Sequence, residues 1–381
     1  MIGVVVLGST GSIGRQTLEV IDAHPAEFAI HGLAAGRGGP AFEAQLARYP
    51  SARAWSADGQ AGPHPGRWAG GGLEELATLD GADLVVVATT GMTALPAVLA
   101  ALRAGRRVAL ANKETLVAGG HLVAAQLDRL GGDRLDLLRP VDSEHSAIWQ
   151  CLLGERIENV ARLVLTASGG PFRGRTAAEL ASVTPAEALA HPTWRMGPKI
   201  TVDSATLVNK AFEAIEAKWL YRLPYDRIDA VIHPQSVVHS LVEFDDGSFK
   251  AQLGLPDMRL PIQFALTYPR RLPSPIRRSS PSAWGSLDFE PLVATDYPAY
   301  AAVRTAAALG GNRGTILNAA DEVAVAAFLA GAIGFGQIAD TIERSVERWG
   351  GAGEPDLDQI TAIDDEVRAA LTLDLGLAGS A

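Results

Sequence analysis

The chain has 381 residues, 48% of them apolar, with a formal net charge of −10. That length suits two or three domains, and the apolar share is enough for several cores. The acidic balance argues against a nucleic-acid binder, which needs a basic surface, but leaves room for a local basic pocket around a phosphorylated small molecule. A single cysteine, Cys151, excludes an intrachain disulfide. No apolar run reaches the length of a membrane span, so no membrane partner is expected. A strand-like run begins at Ile2 and leaves no targeting segment, which points to a cytoplasmic protein.

In chain order, residues 2–7 form a continuous apolar run that stops at Gly8, the pattern of a buried parallel strand. Residues 16–23 read as a helix and 28–35 as a second strand. A glycine- and proline-rich stretch, 59–72, reads as loop. Residues 82–88 (ADLVVVA) form a third strand, 93–104 a helix and 107–111 another strand. This alternation predicts βαβ units on a parallel sheet.

The middle third changes character. Residues 146–153 read as a helix, 160–166 as a strand and 206–220 as an amphipathic helix. Strands are predicted over 230–233, 237–244 and 249–253, with Asp246-Gly247 as the turn before the last. Residues 269–289, rich in Pro, Ser and Arg, read as a linker. Helical patterns follow over 299–309, 316–329 and 336–349. The expected class is α/β: a Rossmann-like parallel-sheet domain over 1–138, an α+β catalytic domain over 139–268, and a helical C-terminal domain over 290–381.

Residues 8–14 (GSTGSIG) sit between the first strand and first helix. Glycines there permit a tight turn and let backbone N–H groups approach a pyrophosphate at a helix N-terminus. A glycine-rich turn without a ligand is the plain alternative, weakened by the motif's place at the head of a βαβ series. The second strand ends in Ala34-Ala35-Gly36-Arg37 rather than in an acid. A cation there suits the 2′-phosphate of NADP, whereas an acid would hold the ribose hydroxyls of NAD; a solvated surface arginine is the competing reading.

Asp142 and Glu144 lie two apart before a predicted helix. In an extended segment both would project to one side and share a cation. Oxygen-only ligation favours Mg²⁺ or Mn²⁺ over Zn²⁺. The alternative is two acids that simply favour the helix dipole. In the 206–220 helix, Val208, Ala211, Phe212, Ile215 and Trp219 form an apolar stripe. Asn209, Glu213 and Glu216 share another face with Lys210 at its edge, and Asp203 or Ser204 is placed to cap the start. Hydroxyls, an amide and an ammonium at a helix N-terminus can hold a phosphate, and Glu213 can add a third carboxylate to the metal. An ordinary solvated face with an Asn209–Glu213 hydrogen bond remains the alternative. Ser168-Gly169-Gly170 offers another phosphate donor or only a turn. The loop 191–197 (HPTWRMG) carries large apolar side chains, as a water-excluding lid would, or as a loop packed on the core would.

Residues 8–14 (GSTGSIG), 110–114 (LANKE), 141–145 (VDSEH), 168–172 (SGGPF), 202–210 (VDSATLVNK), 213–217 (EAIEA), 233–240 (HPQSVVHS), 252–259 (QLGLPDMR) and 317–328 (LNAADEVAVAAF) occur in that order. As an ordered set they resemble the deoxyxylulose phosphate reductoisomerases, from about Val4 to about Phe328 and more weakly beyond. The resemblance implies an NADPH-binding N-terminal domain, a catalytic centre, a helical C-terminal domain and a homodimer. It implies conversion of 1-deoxy-D-xylulose 5-phosphate, a small phosphorylated sugar, into 2-C-methyl-D-erythritol 4-phosphate in non-mevalonate isoprenoid biosynthesis. Asp142, Glu144 and Glu213 would hold Mg²⁺ or Mn²⁺, with Co²⁺ as a substitute. Lys113, Ser143 and Glu144 would meet the hydroxyl end of the substrate. Ser168, His191, Ser204, Asn209 and Lys210 would meet its phosphate end. Lys113, Glu144 and His191 would be the catalytic groups, and Trp194 and Met196 would belong to a mobile flap over the substrate. Thr10, Gly11, Ser12, Ile13, Gly36, Arg37, Asn112, Glu114 and Gly197 would line the NADPH site.

Three positions depart from the family pattern. Gly38 replaces an Asn after the basic residue, Ala211 replaces a Gly whose site a methyl group would crowd, and Pro198 replaces a basic residue after the flap. Two rival readings are an NADP oxidoreductase acting on another phosphorylated substrate and a non-catalytic nucleotide-binding relative. Retention of all three carboxylates, Asn209 and Lys210 separates the chain from both.

Overall fold

The computed structural model describes residues 1–59, 65–180 and 182–377. Part of the predicted loop 59–72 therefore lies outside the described residues. Contacts group the chain into two compact units. The first comprises residues 1–115, 122–149 and 257–279; the second comprises 116–121, 150–256 and 280–381.

The first unit is built on six parallel strands, β1 (Ile2–Leu7), β2 (Phe28–Ala35), β3 (Arg53–Ser56), β4 (Leu84–Val87), β5 (Arg107–Leu110) and β6 (Leu138–Pro140). Their order is β3-β2-β1-β4-β5-β6, the doubly wound dinucleotide-fold arrangement. Val4, Val5, Val6 and Leu7 of β1 are completely buried. A parallel strand covered on both faces requires such an uninterrupted apolar run, which is why its limits were readable. The strand order reverses between β1 and β4, so the segments leaving those strands, at Gly8 and Thr89, flank the crevice where such sheets bind ligands. The four-residue edge strand β3 (RAWS) and the helix Pro40–Arg48 were not anticipated. Neither is long or periodic enough to stand out from the surrounding polar sequence.

Residues 257–279 join this unit although they were expected with the catalytic segment and linker. Their helix, Arg259–Thr267, packs on helix Ser12–Ala23 and on β5 and β6. Trp149, 1% exposed, meets the rings of Phe264 and Tyr268 with centroids 4.7 Å away in each case. Arg139 donates to the Ala265 carbonyl at 2.7 Å and lies over the Tyr268 ring at 5.5 Å. These contacts explain why sequence distance misplaces the segment.

The second unit holds a mixed sheet in the order β10-β9-β7-β8-β11: β7 (Val160–Ala167), β8 (Ile228–Ile232), β9 (Val238–Phe244), β10 (Phe249–Leu253) and β11 (Glu290–Pro291). Helices Pro298–Leu309, Arg313–Leu329, Gln337–Trp349 and Leu357–Asp374 belong to the same unit. One hydrophobic core joins Phe172, Phe212 and Ile215 of the middle segment to Ile316, Phe328 and Val367 of the C-terminal segment. The helix expected over 206–220 is two helices, Pro198–Thr206 and Val208–Tyr221. Leu207 separates them in a left-handed conformation (φ 58°). Among the described residues, no helix is long and apolar enough to cross a membrane.

Replacement of Trp149 by Ala removes a buried ring from the first unit's core. It should cost about 3–5 kcal/mol of unfolding free energy, read by denaturant titration; a loss below about 1 kcal/mol would show that the ring cluster does not hold helix Arg259–Thr267 in place.

Candidate active site

The turn after β1 is shaped by its glycines. Gly8 has φ +87°, and a Cβ there would lie 2.3 Å from the Ala88 carbonyl oxygen. A Cβ on Gly14 would lie 2.2 Å from the Gly8 oxygen. Only glycine lets the strand end, the turn and the first helical turn come this close. Gly11 stands at the N-cap of helix Ser12–Ala23 with no side-chain cap, so this helix end presents backbone rather than side-chain groups. Beside it a cavity of 430 Å³ is lined by Thr10, Gly36, Arg37, Gly38, Ala41 and Phe42. Gly11, Ser12 and Arg37 are exposed, and Thr10 and Ile13 half-buried. Glycine turn and Arg37 thus meet at one cavity, as expected from sequence. Gly38 donates its N–H to Asp58 at 3.0 Å, a backbone bond that does not depend on the missing Asn side chain.

Asn112 follows β5 and is 2% exposed. Its amide nitrogen donates to the carbonyls of Thr89 (2.9 Å) and Gly91 (2.7 Å) and lies 3.0 Å from a Glu114 carboxylate oxygen. Its oxygen accepts the Thr115 N–H at 3.0 Å and the Thr115 hydroxyl. This side chain ties the loop after β4 to the loop after β5, at the crevice end of the sheet.

The neighbouring Lys113 is 6% exposed and pairs with Asp142 at 2.5 Å. Asp142 follows β6, and Ser143 begins helix Ser143–Leu152. Glu144 therefore sits in the first turn of a helix, not in an extended segment. The alternation argument for Asp142 and Glu144 does not hold, because the helix starts three residues earlier than predicted. The helical turn itself brings their carboxylate oxygens within 4.8 Å of each other. Ser143 donates its hydroxyl proton to Glu144 at 2.5 Å. Lys113, Asp142, Ser143 and Glu144 thus form one cluster within the first unit.

In the second unit, β7 runs into Ser168-Gly169-Gly170. Gly169 (φ +87°) and Gly170 (φ +67°) are both left-handed, and a Cβ on Gly170 would lie 2.5 Å from the Ser204 carbonyl oxygen. The turn thereby carries Ser168 to helix Pro198–Thr206. His191 Nε2 lies 3.1 Å from both the Ser168 and the Ser204 hydroxyls. Its Nδ1 accepts the backbone N–H groups of Thr193 (3.1 Å) and Trp194 (2.9 Å). The ring is therefore a neutral imidazole with its proton on Nε2, facing the two serines. Burial lowers its pKa from the ordinary 6.5, because the charged form is poorly solvated there.

Asp203 and Ser204 were expected to cap the helix bearing Asn209. Both instead lie inside helix Pro198–Thr206, and the left-handed Leu207 takes the N-cap position of the next helix. The break turns Asn209 and Lys210 onto the first turn of helix Val208–Tyr221. The polar face of that helix is not solvated: Lys210 is 3% exposed, Glu213 0% and Glu216 1%. Lys210 pairs with Glu213, and Asn209 donates to the same carboxylate at 2.6 Å. Ala211 is buried in the hydrophobic core, so its methyl group packs there. Pro198 takes the first position of its helix, where its missing N–H costs nothing. Trp194 and Met196 are half-buried in an irregular segment, with Gly197 at the N-cap of the following helix.

Sequence reasoning missed the half-buried Lys199, its pairing with Asp203, and the fully buried Asp321. The four-residue spacing of Lys199 and Asp203, and an acid inside the apolar run 317–328, were the available signals.

Strand order, the glycine turn and Arg37 at its cavity define a protein of the dinucleotide-binding α/β class. Comparison with known proteins is more specific. The family model of 1-deoxy-D-xylulose 5-phosphate reductoisomerase matches residues 4–120, that of its C-terminal domain matches 138–221, and a DXP reductoisomerase C-terminal domain matches 253–370. The chain belongs to the 1-deoxy-D-xylulose 5-phosphate reductoisomerase family. It is 49% identical over 377 residues to the reductoisomerase of Geobacillus kaustophilus, covering 96% of this chain and 97% of that one. It is 48% identical over 374 residues to that of Thermomicrobium roseum, covering 97% and 96%. A crystal structure of DOX-P reductoisomerase in complex with NADPH, fosmidomycin and magnesium superposes with a TM-score of 0.91 at 36% identity over 99% of each chain. The Zymomonas mobilis enzyme in complex with NADPH gives 0.85 at 37%, over 98% of this chain and 99% of that one.

The lowered pKa of His191 has a signed consequence. As pH falls, the unfolded chain takes up this proton first. The stability His191 contributes is therefore complete above the ordinary imidazole range and is lost as pH drops from there through the lowered folded-state value. Titration of the His191 ring by NMR should give a midpoint below 6.5, with the Thr193 and Trp194 amide signals moving in step; a midpoint above that value would refute the lowering by burial.

Proposed function

We propose that this protein catalyses the NADPH- and divalent-cation-dependent conversion of 1-deoxy-D-xylulose 5-phosphate to 2-C-methyl-D-erythritol 4-phosphate, a rearrangement followed by a reduction, in non-mevalonate isoprenoid biosynthesis. The observation that carries this reading is the buried Lys210–Glu213–Asn209 cluster on helix Val208–Tyr221, in a chain of this family. A hydride-transfer enzyme with no metal and no phosphate to hold has no use for charges buried at such cost.

The residues fit both groups. Asp142, Glu144 and Glu213 offer only carboxylate oxygens, a donor set suited to Mg²⁺ or Mn²⁺, with Co²⁺ as a substitute. Asp142 and Glu144 already stand close enough to share one ion. The glycine turn around Gly8 and Gly14 admits backbone but no side chain, as a pyrophosphate cradle must, and Arg37 supplies a cation for the 2′-phosphate. When bound, NADPH supplies the hydride and the cation supplies Lewis-acid polarisation of substrate oxygens.

Each side chain then has a task. Ser168, Ser204, Asn209, Lys210 and His191 bind the phosphate, with the His191 Nε2–H and the two hydroxyls as directed donors. Phosphate binding lies away from the reacting carbons, so its energy can orient them. Lys113 and Ser143 hold the hydroxyl end. Glu144, which accepts the Ser143 hydroxyl hydrogen bond, takes a substrate hydroxyl proton at Oε2. Trp194 and Met196 close over the substrate and exclude water. Thr10, Gly11, Ser12, Ile13, Gly36, Glu114 and Gly197 contact NADPH, and Asn112 fixes the loops beside it. In this reading residues 1–138 form the NADPH-binding part, 139–256 supply most of the catalytic groups and 290–381 form a helical part, while 257–279 pack with the nucleotide-binding unit. A cytoplasmic homodimer completes it, on the strength of the family resemblance.

Consumption of NADPH should require deoxyxylulose phosphate and Mg²⁺ or Mn²⁺, stop with a chelator and resume on adding back the cation. Glu213→Gln should lower kcat by about a hundredfold or more. Wild type that oxidises NADPH alongside an equally active variant would remove Glu213 from the site; a folded protein inert with either cation would remove the activity. Arg37→Ala should raise KM for NADPH by about tenfold and leave KM for NADH unchanged; an equal rise for both would place Arg37 elsewhere.

A further inference from the structure

Lys199 is half-buried on helix Pro198–Thr206, and no role above uses it. Its ammonium lies 2.7 Å from Asp203 on its own helix and 2.7 Å from Asp321 on helix Arg313–Leu329. The Phe212 ring lies beneath it, 5.2 Å away. Asp321 is completely buried, and so are Asn318 and Thr315, about one and two turns before it on the same helix. Burial raises the Asp321 carboxyl above its ordinary value while the Lys199 ammonium opposes that shift. A carboxylate so fully buried is costly to hold without a cation beside it.

Its location supplies the purpose. Segment 191–197 is pinned to helix Pro198–Thr206 at both of its ends. At one end His191 reaches Ser204, in the last turn of that helix. At the other, the Gly197 carbonyl accepts the Thr201 N–H at 3.1 Å and the Thr201 hydroxyl at 2.7 Å. Flap and helix form a closed ring of covalent and hydrogen bonds. Within that ring Lys199 reaches Asp321 on helix Arg313–Leu329, and Asp203 hydrogen-bonds to the same carboxyl.

We propose that Lys199 and Asp321 are positioning residues for the reaction: their ion pair anchors the helix to which both ends of the 191–197 flap are tied, so that the flap closes against a fixed base and Ser204 stays in register with His191. This rests on the reading that 191–197 closes over the substrate. Neither residue touches substrate or cofactor; both act through the placement of Ser204, His191 and Gly197.

Two variants and two independent readouts test it. Asp321→Asn keeps the side-chain volume and removes the charge. Lys199→Met keeps the stem and removes the ammonium. The first readout needs no substrate: Arg195 is exposed within the flap, so trypsin cleavage after it reports flap anchoring. Both variants should be cut there about tenfold faster than wild type, with global melting little changed, because a local opening is being favoured rather than unfolding. The second readout is kinetic. KM for deoxyxylulose phosphate should rise by about tenfold, with the dissociation constant for NADPH unchanged. Lys199→Arg, which keeps the cation, should restore both. Unchanged cleavage and unchanged KM in both variants would overturn the proposal, and so would a rise in KM shared equally with NADPH. If Asp321→Asn does not fold, Lys199→Met decides alone. Should wild type turn out not to use this substrate, the functional reading fails while the cleavage assay still tests the anchor.

Discussion

The Lys210–Glu213 pair is the interaction on which the catalytic part depends. Both side chains are nearly or fully buried, on a helix whose opposite stripe, Val208, Ala211, Phe212 and Ile215, packs into an apolar core of the second unit. A lone charge in that place would cost several kcal/mol, so each residue requires the other, and Asn209 supplies a further donor to the same carboxylate. Stability alone would be served as well by apolar residues of similar volume. The two charges are held at fixed positions by the packing around them.

The same economy recurs across the site. Lys113 and Asp142 are paired at the crevice end of the parallel sheet. Lys199 lies between Asp203 and Asp321. His191 spends one ring nitrogen on the backbone of its own loop and the other on two serines. In each case a polar group is oriented by a partner before any ligand arrives, which reduces the reorganisation that binding and reaction require. Backbone geometry does the rest: left-handed Gly169, Gly170 and Leu207 set the directions in which Ser168, Ser204, Asn209 and Lys210 leave the chain.

Much of this was legible in the sequence, and the failures have physical causes. β1 and β2 were read to the residue because strands buried on both faces tolerate few polar positions, and the glycine turn was read because its spacing serves a backbone conformation. The geometry of Asp142 and Glu144 was misread because the same pair of acids suits an extended segment or the start of a helix, and the helix, Ser143–Leu152, begins directly after Asp142. The single helix over 206–220 was misread because Leu207 has no sequence signature of a left-handed residue; tertiary packing imposes it. Residues 257–279 were assigned to the wrong neighbours because the Trp149, Phe264 and Tyr268 rings meet across more than a hundred positions of chain.

By itself, then, the sequence determined the α/β class, the nucleotide turn, the ordered motifs of the family and the residue types able to hold a phosphate and a hard cation. Those are properties of local periodicity, backbone permission and side-chain chemistry, which neighbours in the chain decide. Only the tertiary structure decided that the polar face of helix Val208–Tyr221 is buried, that Asn112 is spent on knitting two loops, and that Lys199 is tied to Asp321 more than a hundred residues away. Burial and long-range pairing depend on which surfaces meet after folding, and no local pattern records that.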